Sequence, residues 1–223
     1  MIFGGYLPFT LNDFPSRIAA IVFTQGCNFR CPFCHNGTLW DYTPPASGVV
    51  DEDFMLAFLR QKQGKLDGLV ISGGEPTLQP DLPDFIRPVK EMGYAVKLDT
   101  NGSRPRVLKS LIERNLVDYI AMDIKAPWPK YSQLAGVNAD TPAIRESVNI
   151  ISRSGIPHQF RTTWVDSLLC REDRLAIRNQ IPPASNHIFQ AFQPENAQDA
   201  ELRESEANAA YRVEFMPKNA MAV

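Results

Sequence analysis

Six short runs rich in β-branched and apolar residues, separated by segments of helical apolar spacing, restrict this chain to repeated βα units around a parallel sheet. The runs cover 18–23, 68–72, 95–99, 119–123, 158–163 and 187–192, and the helical spacing falls near 52–63, 81–92, 105–115, 142–154 and 172–180. Six units within about 190 residues are too few and too short for a closed eight-fold barrel. The expected fold is therefore α/β, an open partial (β/α)6 barrel with a lateral mouth. Its active face should lie at the C-terminal ends of the strands. The chain reads as one domain over 1–223, with a barrel core at about 17–194 and a polar, Glu- and Ala-rich helix or tail over 195–223.

With 44% hydrophobic residues among 223, such a core needs no disulfide staples. The first residues lack a basic stretch leading into an apolar run, and no segment approaches a membrane span, so a cytoplasmic location is expected. A formal charge of −2 gives no reason to expect nucleic acid or membrane as partner.

Chemically suggestive residues follow four successive strands: the segment Cys27 to Cys34, Gly73-Gly74-Glu75-Pro76, Asp99-Thr100-Asn101-Gly102 and Asp123-Ile124-Lys125. Cys27, Cys31 and Cys34 have a C-x3-C-x2-C spacing on a short loop, and thiolates are the soft ligands of iron–sulfur clusters. Three thiolates on a [4Fe–4S] cluster leave one iron open for chemistry. The competing reading is a structural zinc site. His35 directly follows Cys34 and is badly placed to join the same tetrahedron, while His158 and His187 lie on distant strands. A thioredoxin-type pair at Cys31 and Cys34 would leave Cys27 without a role. Cys170 stands alone and is expected to be a half-buried core thiol.

With Phe33 as the aromatic residue before the third cysteine, the loop resembles that of the radical S-adenosylmethionine (SAM) superfamily. Asp13-Phe14-Pro15-Ser16-Arg17, followed by Ala19 to Asn36 and ending in Cys34-His35-Asn36, is similar to the glycyl-radical-enzyme activating group, especially the activating proteins of anaerobic ribonucleoside-triphosphate reductase. Ser16 stands where such relatives often carry glycine. The resemblance runs from about Gly4 to Pro194.

The resemblance implies that Cys27, Cys31 and Cys34 hold a [4Fe–4S] cluster and that Phe33 borders the adenine of SAM. It implies that Gly73, Gly74 and Glu75 bind the amino group of the methionine moiety through backbone oxygens and often the glutamate. Asp99, Thr100 and Asp123 would line the carboxylate end and a monovalent cation, with Asn101 and Lys125 near the cosubstrate. Arg161 is a candidate donor to the ribose or carboxylate. Gln190 and Gln193 face either the mouth or solvent. No side chain is expected to act as acid or base, because the cluster and SAM carry the chemistry.

The implied reaction begins with a flavodoxin- or ferredoxin-type electron donor. Reductive cleavage of SAM then gives methionine and a 5′-deoxyadenosyl radical, which removes a glycine Cα hydrogen from a partner glycyl radical enzyme, best matched by anaerobic ribonucleotide reductase. The alternatives are a small-molecule radical enzyme resembling 7-carboxy-7-deazaguanine synthase, and a non-catalytic metal-binding module.

Overall fold

All six expected strands form, and they pair in parallel in chain order. The computed structural model describes residues 1–43 and 50–204, apart from the side chain of Asn196. Most of the expected tail, 205–223, lies outside the described residues; a 3-10 turn at Pro194–Asn196 and a helical turn beginning at Ala200 fall within them. The strands are β1 (Ile2–Thr10), β2 (Ala19–Thr24), β3 (Val50–Asp51), β4 (Gly68–Gly73), β5 (Ala95–Thr100), β6 (Tyr119–Asp123), β7 (His158–Trp164) and β8 (Asn186–Ala191). The helices are α1 (Glu52–Lys62), α2 (Leu82–Glu91), α3 (Pro105–Glu113), α4 (Tyr131–Ala135), α5 (Thr141–Arg153) and α6 (Arg171–Arg178). The sheet order is β3-β1-β2-β4-β5-β6-β7-β8, with β2 and β4 to β8 parallel and β1 antiparallel to β2 and β3. The sheet has two ends and does not close on itself, so the barrel is open.

Two strands were not expected from the sequence, β1 and the two-residue β3, and neither was the short helix α4. Gly4, Gly5 and Pro8 weaken the strand signal of the run Ile2–Thr10. It forms a strand because β3 covers only Ile2 and Phe3, leaving the outer edge of β1 open at Pro8 among the described residues. A register irregularity between Leu7 and Thr10 takes up the proline. The turn into β2 then carries Ser16 at φ +59°. This is the left-handed region that glycine favours, which fits a position where similar proteins often carry glycine.

Register divides the strands into two faces. The outward series Ala20, Val22, Leu69, Ile71, Val96, Leu98, Ile120, Met122 and Phe160 is buried beneath the helices, in one cluster with Leu59, Phe85, Ile86, Leu108, Leu111, Ile144 and Ile151. Fully burying each large side chain contributes about 1.5–3 kcal/mol, so this layer is what attaches the helices to the sheet. The inward series is apolar at the N-terminal end of the strands, where Phe14, Ala19, Ile21, Val70 and Ala95 form a separate small core. Lys97 lies level with Val70, and toward the C-terminal end the inward positions are mainly polar, Ser72, Asp99, Asp123, Arg161 and Thr163, with Phe23 and Ala121 among them. Cys170, expected as a core thiol, is instead exposed at the N-terminus of α6, where its thiol donates to Asp173 at 3.2 Å. Its neighbour Asp173 takes the buried place, bound by Lys130 at 2.6 Å.

His187 is the outward residue of β8, and its position sets a pH dependence of folding. The Thr162 hydroxyl gives its single proton to the Ile124 carbonyl at 2.8 Å, so it accepts from His187 Nε2 at 3.0 Å and fixes the Nε2–H tautomer. Nδ1 is buried with no hydrogen-bond partner among the described residues. Protonating it would bury a charge, and Arg178 and Arg174 add repulsion, so the imidazole is pushed down to about 4. A depressed histidine binds its proton more readily in the unfolded chain; its contribution is complete above the ordinary value near 6.5 and is lost as pH falls toward 4. Urea unfolding of the apo protein should therefore show wild type losing about 2 kcal/mol more than His187→Gln between about pH 7 and about pH 5. Equal losses in the two proteins would contradict this assignment.

Candidate active site

The polar upper half of the concave wall opens into a cavity of about 350 Å³. The segments that follow β2, β4, β5 and β6 all reach it, as expected for the C-terminal end of a βα barrel. Cys27, Cys31, Cys34, Phe33, Gly73, Gly74, Asp99, Thr100, Asn101, Asp123, Lys125 and Arg161 line it. Of the residues proposed to bind the cluster or cosubstrate, Glu75 is not among those that line it.

Glu75 is fully buried behind the cavity wall and is saturated by its own chain. Oε1 accepts from the Thr77 amide at 3.1 Å, the Thr77 hydroxyl and the Thr100 hydroxyl at 2.7 Å; Oε2 accepts from the Asn101 amide at 2.6 Å. Burial raises the carboxyl above its ordinary value, and these donors oppose the shift. The side chain is a clamp that ties the end of β4 to the end of β5. The expectation that its carboxylate meets a methionine amino group is not matched by this geometry, since no face of it is turned to the cavity. The cavity-facing atoms of that element belong to Gly73 and Gly74.

Both glycines are required by close backbone approach. Gly73 has φ +110°, and a Cβ there would strike the backbone of Phe23 and Thr24. A Cβ on Gly74 would strike the backbone of Gly26, whose carbonyl accepts from the Glu75 amide at 2.8 Å. The element after β4 is thereby pressed against the start of the cysteine loop.

That loop is held from several sides. The Gly26 and Cys27 amides donate to the Leu39 and Trp40 carbonyls at 2.9 and 3.0 Å, and the Arg30 amide donates to Ala135 at 2.8 Å. Arg30 also returns its guanidinium to the Cys27 and Phe29 carbonyls. Asn28 exchanges hydrogen bonds with Ser103 and Asn101, tying the loop to the end of β5. The segment after β8 straps the far side: the Gln198 amide donates to Cys34 O and the Asp199 amide to Pro32 O, both at 3.1 Å.

Two of the three thiols already receive backbone donors, Phe29 N–H to Cys27 and Asn36 N–H to Cys34, each at 3.4 Å. Amide donors of this kind stabilise thiolate ligands and tune iron–sulfur centres. Burial pushes the Cys27 thiol up to about 11 and Cys31 to about 12, so deprotonation needs a compensating positive centre. Among the described residues no three His, Cys, Asp or Glu side chains converge as the ligands of a single metal ion do. The three thiols share one wall of the cavity.

Phe33 is both a cavity-lining ring and part of the main core, with Lys125 Nζ 5.9 Å from its centroid. Asp123 and Lys125 pair at 3.0 Å, and Arg161 spans two strands, with Nε on Asp123 at 2.8 Å and an NH on Asp99 at 3.2 Å. Burial alone would raise Asp123, but Arg161 and Lys125 outweigh it and hold the carboxyl well below the carboxylate range. Asp123 in turn overcomes the burial that would lower Lys125 and Arg161, keeping both charged. Asp99 completes its set with the Ser72 hydroxyl at 3.1 Å and the Lys97 ammonium.

Several cavity residues were missed from the sequence. Lys97 was missed as well: it does not line the cavity but lies one inward step below Asp99 and pairs with it, and the alternation Ala95-Val96-Lys97-Leu98-Asp99 was the available signal. His35 lines the cavity and stacks on Phe192 at 5.6 Å. Trp40 lines it too, beneath the Arg30 guanidinium at 5.5 Å. Gln190 faces the cavity, settling the choice between mouth and solvent for that residue; Gln193 is not among the lining residues.

Residues 21–167 match the radical SAM superfamily. A Methanocaldococcus jannaschii protein named as a glycyl-radical enzyme activating enzyme is 32% identical over 89% of this chain and 83% of its own length. The pyruvate formate-lyase-activating enzyme of Staphylococcus aureus is 34% identical over 47% of this chain and 45% of its own length. Among solved structures, Streptococcus suis SuiB bound to its precursor peptide SuiA superimposes with a TM-score of 0.63 at 14% identity, over 87% of this chain and 46% of that one. The anSMEcpe structure with bound AdoMet gives 0.59 at 12% identity, over 76% and 49%. The chain spans about half the length of these two solved structures, and at such identity they show the fold alone.

The clamp carries a prediction that separates it from a cosubstrate ligand. Glu75→Ala leaves the Thr100 hydroxyl and the Asn101 amide unpaired in a buried position, which should lower apo-protein stability by about 2–4 kcal/mol in urea unfolding. An unchanged midpoint would show that the carboxylate is not holding the two strand ends together.

Proposed function

The chain belongs to the radical SAM superfamily, and on that premise we propose that it activates a glycyl radical enzyme, with anaerobic ribonucleoside-triphosphate reductase the best-matched partner. The single observation that carries the reading is the convergence of three buried-loop thiols, a backbone-tight Gly-Gly element and a charged strand-end wall on one open cavity. The family implies a [4Fe–4S] cluster and SAM; the donor set of this chain fits both.

Cys27, Cys31 and Cys34 would hold the cluster, with the Phe29 and Asn36 amides donating to its sulfur ligands. Bound there, the cluster and SAM would supply one-electron reductive chemistry, by which SAM and an electron from an external flavodoxin- or ferredoxin-type donor would give methionine and a 5′-deoxyadenosyl radical able to take a hydrogen atom from a glycine Cα, leaving 5′-deoxyadenosine and a glycyl radical.

The remaining residues bind and orient. Gly73 and Gly74, pressed against β2 and the cysteine loop where no Cβ fits, line the cavity and would offer backbone oxygens to an ammonium. Lys125 and Arg161 give the cavity floor fixed positive groups for a carboxylate, preorganised by Asp99 and Asp123. Phe33 offers a flat apolar surface for adenine. Asn101 holds the end of β5 against the cysteine loop through Asn28, and Thr100 holds it against Glu75 at the end of β4. The open side of the barrel would admit a protein loop, which favours a macromolecular substrate over a small molecule of the 7-carboxy-7-deazaguanine synthase kind.

Anaerobic reconstitution followed by dithionite and SAM should yield 5′-deoxyadenosine, and Cys31→Ala should abolish it. With a glycyl radical enzyme added, a glycyl radical signal in electron paramagnetic resonance should appear in step with that product. Product without the signal would favour the small-molecule reading. An intact four-iron cluster that cleaves no SAM would favour the non-catalytic module.

A further inference from the structure

The concave wall holds an unbroken chain of alternating charge, Lys97, Asp99, Arg161, Asp123 and Lys125, spread over three strands. All four oxygens of its two carboxylates are already engaged by cationic groups of the protein. Asp99 Oδ1 accepts from Lys97; Asp99 Oδ2 accepts from Arg161 at 3.2 Å and from the Ser72 hydroxyl. Asp123 Oδ1 accepts from Arg161 at 2.8 Å and Oδ2 from Lys125 at 3.0 Å. Lys97 itself is almost completely buried and contacts no other carboxylate.

Two carboxylates beside a water-excluding site need a counter-charge, and the sequence resemblance implied a monovalent cation in that role. The donor set does not fit one. A hard cation requires several oxygens aimed at a common point, whereas these four oxygens are aimed at N–H groups. An added ion would also stand among three fixed positive charges and meet their repulsion at short range.

We infer that Lys97 is the internal counter-ion of this site, a positioning residue whose ammonium occupies the role of an inorganic monovalent cation and makes the protein independent of one. With three cations against two carboxylates, the wall keeps one positive charge in excess. That excess is suited to an anionic ligand group such as the carboxylate of an amino-acid-derived cosubstrate. Only this last consequence rests on the proposed function.

The test compares thermal unfolding of the apo protein in choline, sodium and potassium chloride at equal ionic strength. Wild type should melt at the same temperature in all three salts. Lys97→Met frees Asp99 Oδ1 and vacates the space of the ammonium, so sodium or potassium should raise its melting temperature over choline by about 3 °C. The double change Lys97→Met with Asp99→Asn should lose that response.

A wild-type protein stabilised by sodium or potassium overturns the inference, as does a folded Lys97→Met that responds to neither. Thallium-205 resonance, with thallium(I) as the potassium surrogate, decides the wild-type arm without any variant: a saturable shift overturns the inference, and none supports it. The SAM dissociation constant of the reconstituted protein should likewise be unchanged between choline and potassium. A protein that bound no SAM in any salt would fail the functional reading while leaving the melting and thallium results to judge Lys97.

Discussion

In-register parallel pairing is the constraint on which the rest of this structure depends. Side chains alternate along a strand, so a fixed register sends every second residue of six strands to the helices and the others to the concave wall. Parallel strands buried on both faces usually read as continuous apolar runs. Here Lys97, Asp99, Asp123, Arg161 and Thr163 interrupt the runs at period two, and the interruptions fall on one face at one end of the sheet. The apolar plug of Phe14, Ile21 and Val70 closes the opposite end. A chemically usable cavity therefore follows from the pairing itself.

Within that frame, rigidity comes from contacts between segments that succeed different strands. Glu75 joins the ends of β4 and β5, Asn28 and Asn101 join the end of β5 to the cysteine loop, and Gly74 lets the loop and β4 meet at backbone distance. Gly136, at φ +66°, brings the turn after α4 against the Arg30 carbonyl, and the Gln198 and Asp199 amides close the loop from outside. The loop's own hydrogen bonds, from Phe29, Arg30, Cys34 and Asn36, are joined by these contacts with its neighbours, so the arrangement of the thiols is a property of the whole barrel end.

Charge follows the same logic. The half-buried Asp99 and Asp123 are each bound by at least two donors, and Lys97, Arg161 and Lys125 each touch a carboxylate, so none of these ions is left uncompensated. Arg161 is central because its planar fork reaches carboxylates on two different strands, which a lysine ammonium at that position would not do with the same geometry.

The sequence alone determined the six parallel strands, the five longer helices and the open barrel, because the periodicity of apolar residues is a local signal. It also located the cavity-lining segments, since the C-terminal ends of strands are readable once the strands are. What it left undecided are matters of pairing and direction. Strand β1 depends on an open edge that tolerates Pro8; Cys170 faces outward because Asp173 takes the interior place; Glu75 turns away from the cavity because Thr77, Thr100 and Asn101 present donors behind it. Lys97 becomes a counter-ion only when β5 and β7 bring it and Arg161 to the two sides of Asp99. Local sequence fixes which residues occur at a strand end, whereas the partner of each buried polar group is chosen by contacts distant in the chain, and these exist only in the folded protein.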